Sequence, residues 1–328
     1  MVFKKLLGAM GVGGPSVDTV LADEPVLPGG GVTGQVHLEG GSSDAEIEQI
    51  VLELVARVEA EGHEDEHEAS VVFERVAVGG GFRLDAGERR GVPFSFALPW
   101  ETPVTELHGQ PLGIALGVRT ELHIAGARDK GDLDPLRVGP LPAQEAVLEA
   151  LGQLGYGFRS ADLELGHIRG TGQQLPFYQE IELSPPPQLA HAANEVELTL
   201  LASPSGVEVV LEADRRGGLF SSGEDVVNRH FVRHDEITGA DWISKVDGWG
   251  RLLVEQHGAH AAYSHGESHH GGFHHGDGHR SSGPGVGTAV AAGAAGVAVG
   301  VAGGLVAAEV VDEIGDAFEE EEEEGGED

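Results

Sequence analysis

The sequence predicts an all-β protein of two tandem β-sandwiches, with short helices and a low-complexity C-terminal tail. Three observations carry that prediction. Val32, Val36 and Leu38 alternate with polar residues directly after the turn Leu27-Pro28-Gly29-Gly30. Val92, Phe94, Phe96 and Leu98 repeat the pattern further on. Runs of the same two-residue period recur along the chain with glycine turns between them, at the spacing a sandwich needs.

Residues 1–14 come first. Two lysines, Lys4 and Lys5, precede a short apolar run, which superficially resembles a signal peptide. Glycine breaks the run and Pro15 follows without a small-residue cleavage site, so a short helix is expected instead. Residues 15–128 are expected as the first sandwich. Ile50, Leu52, Leu54, Ala56 and Val58 form one apolar face, with Glu53, Arg57 and Glu59 expected to face outward. Ile114, Leu116, Val118, Leu122 and Ile124 repeat that design opposite Arg119, Glu121 and His123. A two-residue period buries one face of a sheet and wets the other, and two facing sheets cover every apolar face most simply.

Residues 129–256 are expected as the second sandwich. Asp129 to Pro142 reads as a linker rich in charge, glycine and proline, with the hinge expected near Asp129 to Val138. Partners are expected to meet the protein along sheet edges, in this hinge or through the tail. In Ala143 to Leu154 the residues Ala146, Val147, Ala150, Leu151 and Leu154 follow the three-four spacing of a helix. Strand patterns resume at Phe177, Gln179, Ile181 and Leu183, at Val196, Leu198 and Leu200, and at Val207, Val209 and Leu211. Asp241 to Gln256 closes the unit as a helix, because Trp242, Val246, Trp249 and Leu253 share a face and Asp241 can cap it.

Beyond that point the composition changes. Residues 257–280 form a histidine- and glycine-rich segment with little to bury, which is expected to be disordered. Residues 281–308 carry no charge and are dominated by glycine, alanine and valine. Residues 309–328 are an acidic tail with 12 carboxylates and no base.

The whole chain of 328 residues carries 20 basic and 55 acidic side chains, a net charge of −35. Removing the acidic tail still leaves −23. Such a field repels nucleic acid and anionic lipid, so no nucleic-acid partner is expected. With no cysteine, disulfides, thiolate metal sites and thiol nucleophiles are excluded, which fits a cytoplasmic location.

Several segments together resemble a known family. FKKLLGAMGVGGPSVDTVL, LPGGGVTGQVHLEGG, VPFSFALPWETPVT, DLDPLRVGPLPAQEAVLEALGQLGYGF, LPFYQEIEL and NEVELTL, in that order, are similar to the sporulation-control proteins over residues 1–256. The resemblance implies an arrestin-like fold, in which two immunoglobulin-like β-sandwiches are joined end to end. It also implies a regulatory or scaffolding role in bacterial sporulation and cell division, through contacts with proteins of that machinery. The family offers no catalytic motif, and no cofactor is expected.

Motifs that carry chemistry elsewhere read differently here. His63-Glu64-Asp65-Glu66-His67 matches the zinc-protease pattern, which needs both histidines on one helical face. Acidic neighbours and flanking strand patterns mark it as a solvated hairpin loop. Gly29 to Gly34 fits a dinucleotide fingerprint, but a strand follows where a helix N-terminus is required. Trp100, Trp242 and Trp249 are expected as packing residues.

The tail holds the remaining candidates. His265, His269, His270, His274 and His275 offer imidazoles to zinc, nickel or copper, weakly, because nothing fixes their geometry. The same tract would gain charge near pH 6.5. Gly296, Gly300 and Gly304 make a small-residue stripe suited to self-association or membrane contact. Six valines and Leu305 supply only about −2 to −4 kcal/mol toward insertion. Peripheral membrane contact and homo-oligomers through this tail are therefore expected ahead of a spanning helix. Val310, Ile314 and Phe318 continue a narrow apolar stripe for docking. The reading as a whole is a non-enzymatic adaptor. Its alternatives are a metal-binding protein using the histidine tract, and a membrane-associated self-assembling protein using the glycine stripe.

Overall fold

The computed structural model describes residues 13–61, 66–126, 130–191, 193–214 and 226–264. The first half begins with β1 (Ser16–Leu21), β2 (Gly31–Glu39), β3 (Ala45–Glu61), β4 (Glu66–Gly79), β5 (Phe82–Leu84) and β6 (Arg89–Ala97). A small hairpin, β7 (Glu106–Leu107) and β8 (Gln110–Pro111), precedes β9 (Leu116–Ile124) and β10 (Lys130–Pro135). The second half holds α1 (Pro142–Leu154), β11 (Gly157–Leu165), β12 (Phe177–Ser184), β13 (Glu195–Ser203), β14 (Gly206–Asp214), β15 (Val226–Arg233) and α2 (Trp242–Ser264).

The first half is the expected sandwich. A three-stranded sheet, β1-β2-β6, faces a larger sheet containing β10, β9, β3, β4 and β5. The alternating residues meet between them: Val32, Val36, Leu38, Phe94 and Leu98 from one sheet, and Ile50, Leu52, Leu54, Leu116, Val118 and Leu122 from the other. Burying each such side chain stabilises the fold by about 1.5–3 kcal/mol. The turn at Gly29 adopts φ +72°, and a Cβ there would lie 2.5 Å from the Trp100 ring. Gly34 lies inside β2, so the glycine motif is the end of a turn and the start of a strand.

Three expectations change. Glu53 does not face water: it is 1% exposed, flanked in register by Arg75 of β4 and Arg119 of β9. Arg119 Nε donates to Glu53 Oε2 at 2.8 Å, and Arg75 Nε donates to Oε1. Two guanidinium groups on the neighbouring strands compensate a charge that the period alone assigns to solvent. The stretch expected as a linker forms β10, because Leu133 to Pro135 pair with β9 and Leu136 and Val138 enter the first core. Among the described residues, the second half packs its five-stranded sheet against α1 and α2, and no second sheet of strands covers it. Val147 and Leu151 of α1 and Val246, Trp249 and Leu253 of α2 meet Leu198, Val209, Leu211 and Val232 there.

The helices start and stop for local reasons. Pro142 occupies the first turn of α1, where no N–H is needed, and the Gln144 side chain accepts the Leu141 N–H at 2.8 Å. Gly155 ends α1 at φ +92°, and the Tyr156 N–H donates back to the Leu151 carbonyl at 3.1 Å. Asp241 caps α2 as expected, accepting from the Ser244 N–H at 3.0 Å. That helix runs to Ser264 rather than Gln256, so His257 and His260 belong to a helix and not to an unfolded tract.

One sheet passes from the first core into the second. β11 pairs in parallel with β3 at Glu164 and Glu59, and antiparallel with β12 along its length. Leu163 and Phe177 enter the first core, whereas Ile181 and Leu183 on β12 enter the second. Gln179 ties the halves further: its Oε1 accepts the Val104 N–H and its Nε2 donates to the Val104 carbonyl, each at 2.9 Å.

Candidate interaction surface

β15 closes the second half's end of the large sheet: it pairs with β14, and among the described residues no strand pairs with its outer edge. The register turns Asn228, His230 and Val232 toward the helices and Val227, Arg229 and Phe231 the other way. The inner positions are held firmly. Val232 is fully buried, and the His230 ring stacks on Trp249 of α2 at 4.4 Å and 9°. The outer positions are open, with Val227 43% and Phe231 51% exposed. Arg229 Nε donates to Glu208 Oε1 of β14 at 2.7 Å. A strand edge with unused backbone groups and open apolar side chains is a template for adding another extended chain.

The polar face of the same sheet gathers acids. Register places Asp162 opposite Glu180, and Glu182 opposite Glu197, which faces Glu212. Burial, reinforced by Glu197, Asp162, Glu164 and Glu212, pushes the Glu180 carboxyl up to about 10. Glu180 is therefore a neutral acid at physiological pH, able to donate a hydrogen bond. Burial and the same acidic neighbourhood also push the Tyr178 hydroxyl upward.

A half-buried acid pair, Asp132 and Asp134, sits on β10 beside β1. The Thr19 N–H of β1 donates to Asp132 Oδ2 of β10 at 2.7 Å, and Thr19 and Thr120 share a hydroxyl contact of 2.7 Å. Burial, then Asp132 and Asp18, push the Asp134 carboxyl up to about 8. The sequence signal was available here. Asp132 and Asp134 are two apart, and on a strand that spacing puts both on one face.

The residues singled out by sequence fall as follows. His67 lies on strand β4 opposite Ala60 of β3 rather than on a helix, and His63 lies outside the described residues. Trp249 packs inside the second core, and Trp242 Nε1 donates to the Ile237 carbonyl at 3.1 Å. Trp100 spans from the Gly29 turn to the His234 ring, 5.7 Å away, and so joins the two halves. His265, His269, His270, His274, His275, Gly296, Gly300, Gly304 and the stripe at Val310, Ile314 and Phe318 lie outside the described residues. No helix among the described residues is long and apolar enough to cross a membrane.

β15 itself was not found by sequence reasoning. In Val227 to Arg233 both faces mix apolar and polar residues, so no alternation shows.

Comparison with known proteins places this architecture. Residues 3–217 match the family model described as SpoOM protein. The chain is 34% identical over 242 residues to the sporulation-control protein spo0M of Bacillus subtilis (strain 168), covering 71% of this chain and 91% of that protein. It is similar in structure to the crystal structure of Spo0M, sporulation control protein, from Bacillus subtilis. The TM-score is 0.65 at 30% identity, over 75% of this chain and 100% of the other.

Proposed function

The chain belongs to the SpoOM family of sporulation-control proteins, and from that premise we propose that it is a non-enzymatic cytoplasmic adaptor, controlling sporulation or cell division by gripping other proteins along β15. The observation that supports the reading is the edge itself. Its inner side chains are locked by α2, so the strand is presented in one fixed conformation and little entropy is lost when a partner adds to it. Its outer side chains, Val227, Arg229 and Phe231, set the partner's chemistry: an extended segment with alternating apolar residues. Absence of cysteine suits a reducing compartment, and the charge of −35 keeps nucleic acid away while leaving protein contacts open.

Lysines at Val227 and Phe231 would blunt the edge without touching the inward positions. Proteins captured from sporulating cells by the full chain should be lost by the Val227→Lys, Phe231→Lys variant, while melting behaviour stays unchanged. Equal capture of the same proteins by a stably folded variant refutes β15 as the gripping surface.

A further inference from the structure

We infer that His108, Glu145 and Glu149 form a binding site for a divalent transition-metal ion of the zinc class, clamping the β7–β8 hairpin to α1. The three side chains reach one point from two elements. Glu145 and Glu149 are four residues apart, on one face of α1. His108 occupies the two-residue turn between Leu107 and Gln110 and, at φ +51°, is the non-glycine residue with left-handed backbone among the described residues. Hairpin turns of this kind ordinarily take asparagine, aspartate or glycine. Here an imidazole stands there instead, and it is aimed at the helix.

Each ring nitrogen of His108 has a carboxylate within reach, and a single ion would take one of the two nitrogens, because they point apart. His108 Nδ1 lies 3.6 Å from Glu145 Oε1, and Nε2 lies 3.7 Å from Glu149 Oε1, both beyond hydrogen-bond length. One ligand atom from each residue lies within 4.8 Å of the other two. Zinc takes imidazole nitrogen and carboxylate oxygen at about 2.0–2.2 Å, so the three groups need close by only about 1.5 Å. Their side chains are roughly half exposed and free to make that adjustment. Two carboxylates and a neutral imidazole balance a dipositive ion, and the mixed oxygen and nitrogen set suits zinc better than calcium or magnesium. Water fills the remaining positions. This site is separate from the tail histidines, because it lies on fixed secondary structure.

Thermal melting of the full chain with added zinc chloride tests the inference. Ions whose binding does not depend on the fold occupy folded and unfolded chains alike and leave the melting temperature unmoved, whereas an ion on folded-state geometry raises it. With zinc well above its dissociation constant, the melting temperature of the unaltered protein should rise by roughly 5 °C. His108→Asn keeps a residue that tolerates the left-handed turn but offers no imidazole, and Glu149→Gln keeps the helix. Both variants should fold normally and lose the rise. Replacing His265, His269, His270, His274 and His275 by serine should preserve it. The inference is overturned by an unmoved melting temperature in the unaltered protein, by an undiminished rise in His108→Asn, or by loss of the rise in the tail variant.

Discussion

Glu53 shows how far a single side chain can depart from the pattern around it. Its neighbours Leu52 and Leu54 are core residues by period, and period assigns Glu53 to water. Register decides otherwise, by setting Arg75 and Arg119 directly across on both sides. Arg75 reaches solvent, so removing Glu53 strands only the mostly buried Arg119 guanidinium and costs about 1–3 kcal/mol. Glu53→Ala should therefore lower stability by that amount in denaturant unfolding, far beyond what an exposed glutamate would give. The buried acids make a second residue-scale prediction. In the unfolded chain Asp134 ionises near its ordinary value of 3.8, and in the folded chain near 8. Between those values the folded state holds the extra proton, so stability falls as pH rises, and above about 8 this loss stops. Glu180 acts with the same sign, from its ordinary 4.5 up to about 10. Asp134→Asn and Glu180→Gln should each raise the melting temperature at neutral pH by several degrees, ~1–2 kcal/mol at about 2–4 °C per kcal/mol. Below the ordinary carboxylate range the gain should vanish. The spacing of Asp132 and Asp134 put both on one face, but the burial itself was not legible in sequence: Asp and Glu in strands read as the wet face, and only three-dimensional register covers them.

Among the elements, those with one apolar face were legible and those serving two environments were not. β2, β6 and β9 show a two-residue period because one face meets the first core and the other is exposed or half-buried, and β3 keeps that period in sequence although Glu53 and Val55 on its other face are covered. The helix α1 showed its three-four spacing for the same reason. β11 gives Leu163 to the first core and Ala161 to the second, and β15 mixes both faces, so neither declares a period. The α2 contact is what makes β15 usable. Trp249 stacks on His230 while Val246 and Leu253 seal the same surface. Trp249→Ala should cost about 3–5 kcal/mol, as removal of a buried aromatic does. Hydrogen exchange of the β15 amides should quicken more than that of β2 or β6, which lie in the other core.

For the whole molecule, two cores share one sheet. Trp100 and Gln179 hold the halves together at the seam. The family and the sheet-rich class were readable from segment order and period, because turn chemistry and alternation are local. The helical second layer and the strand in place of a linker were not, because both depend on what covers a sheet after it has formed. The candidate surface was legible only as a kind of place, a sheet edge, and its residues emerged from the register. The proposed adaptor would work through this edge, and spore formation measures that directly. A strain whose sole copy carries Val227→Lys and Phe231→Lys on a body of unchanged melting temperature should form heat-resistant spores at the altered level of a strain lacking the protein. Spore counts equal to those of the unaltered strain would contradict the account.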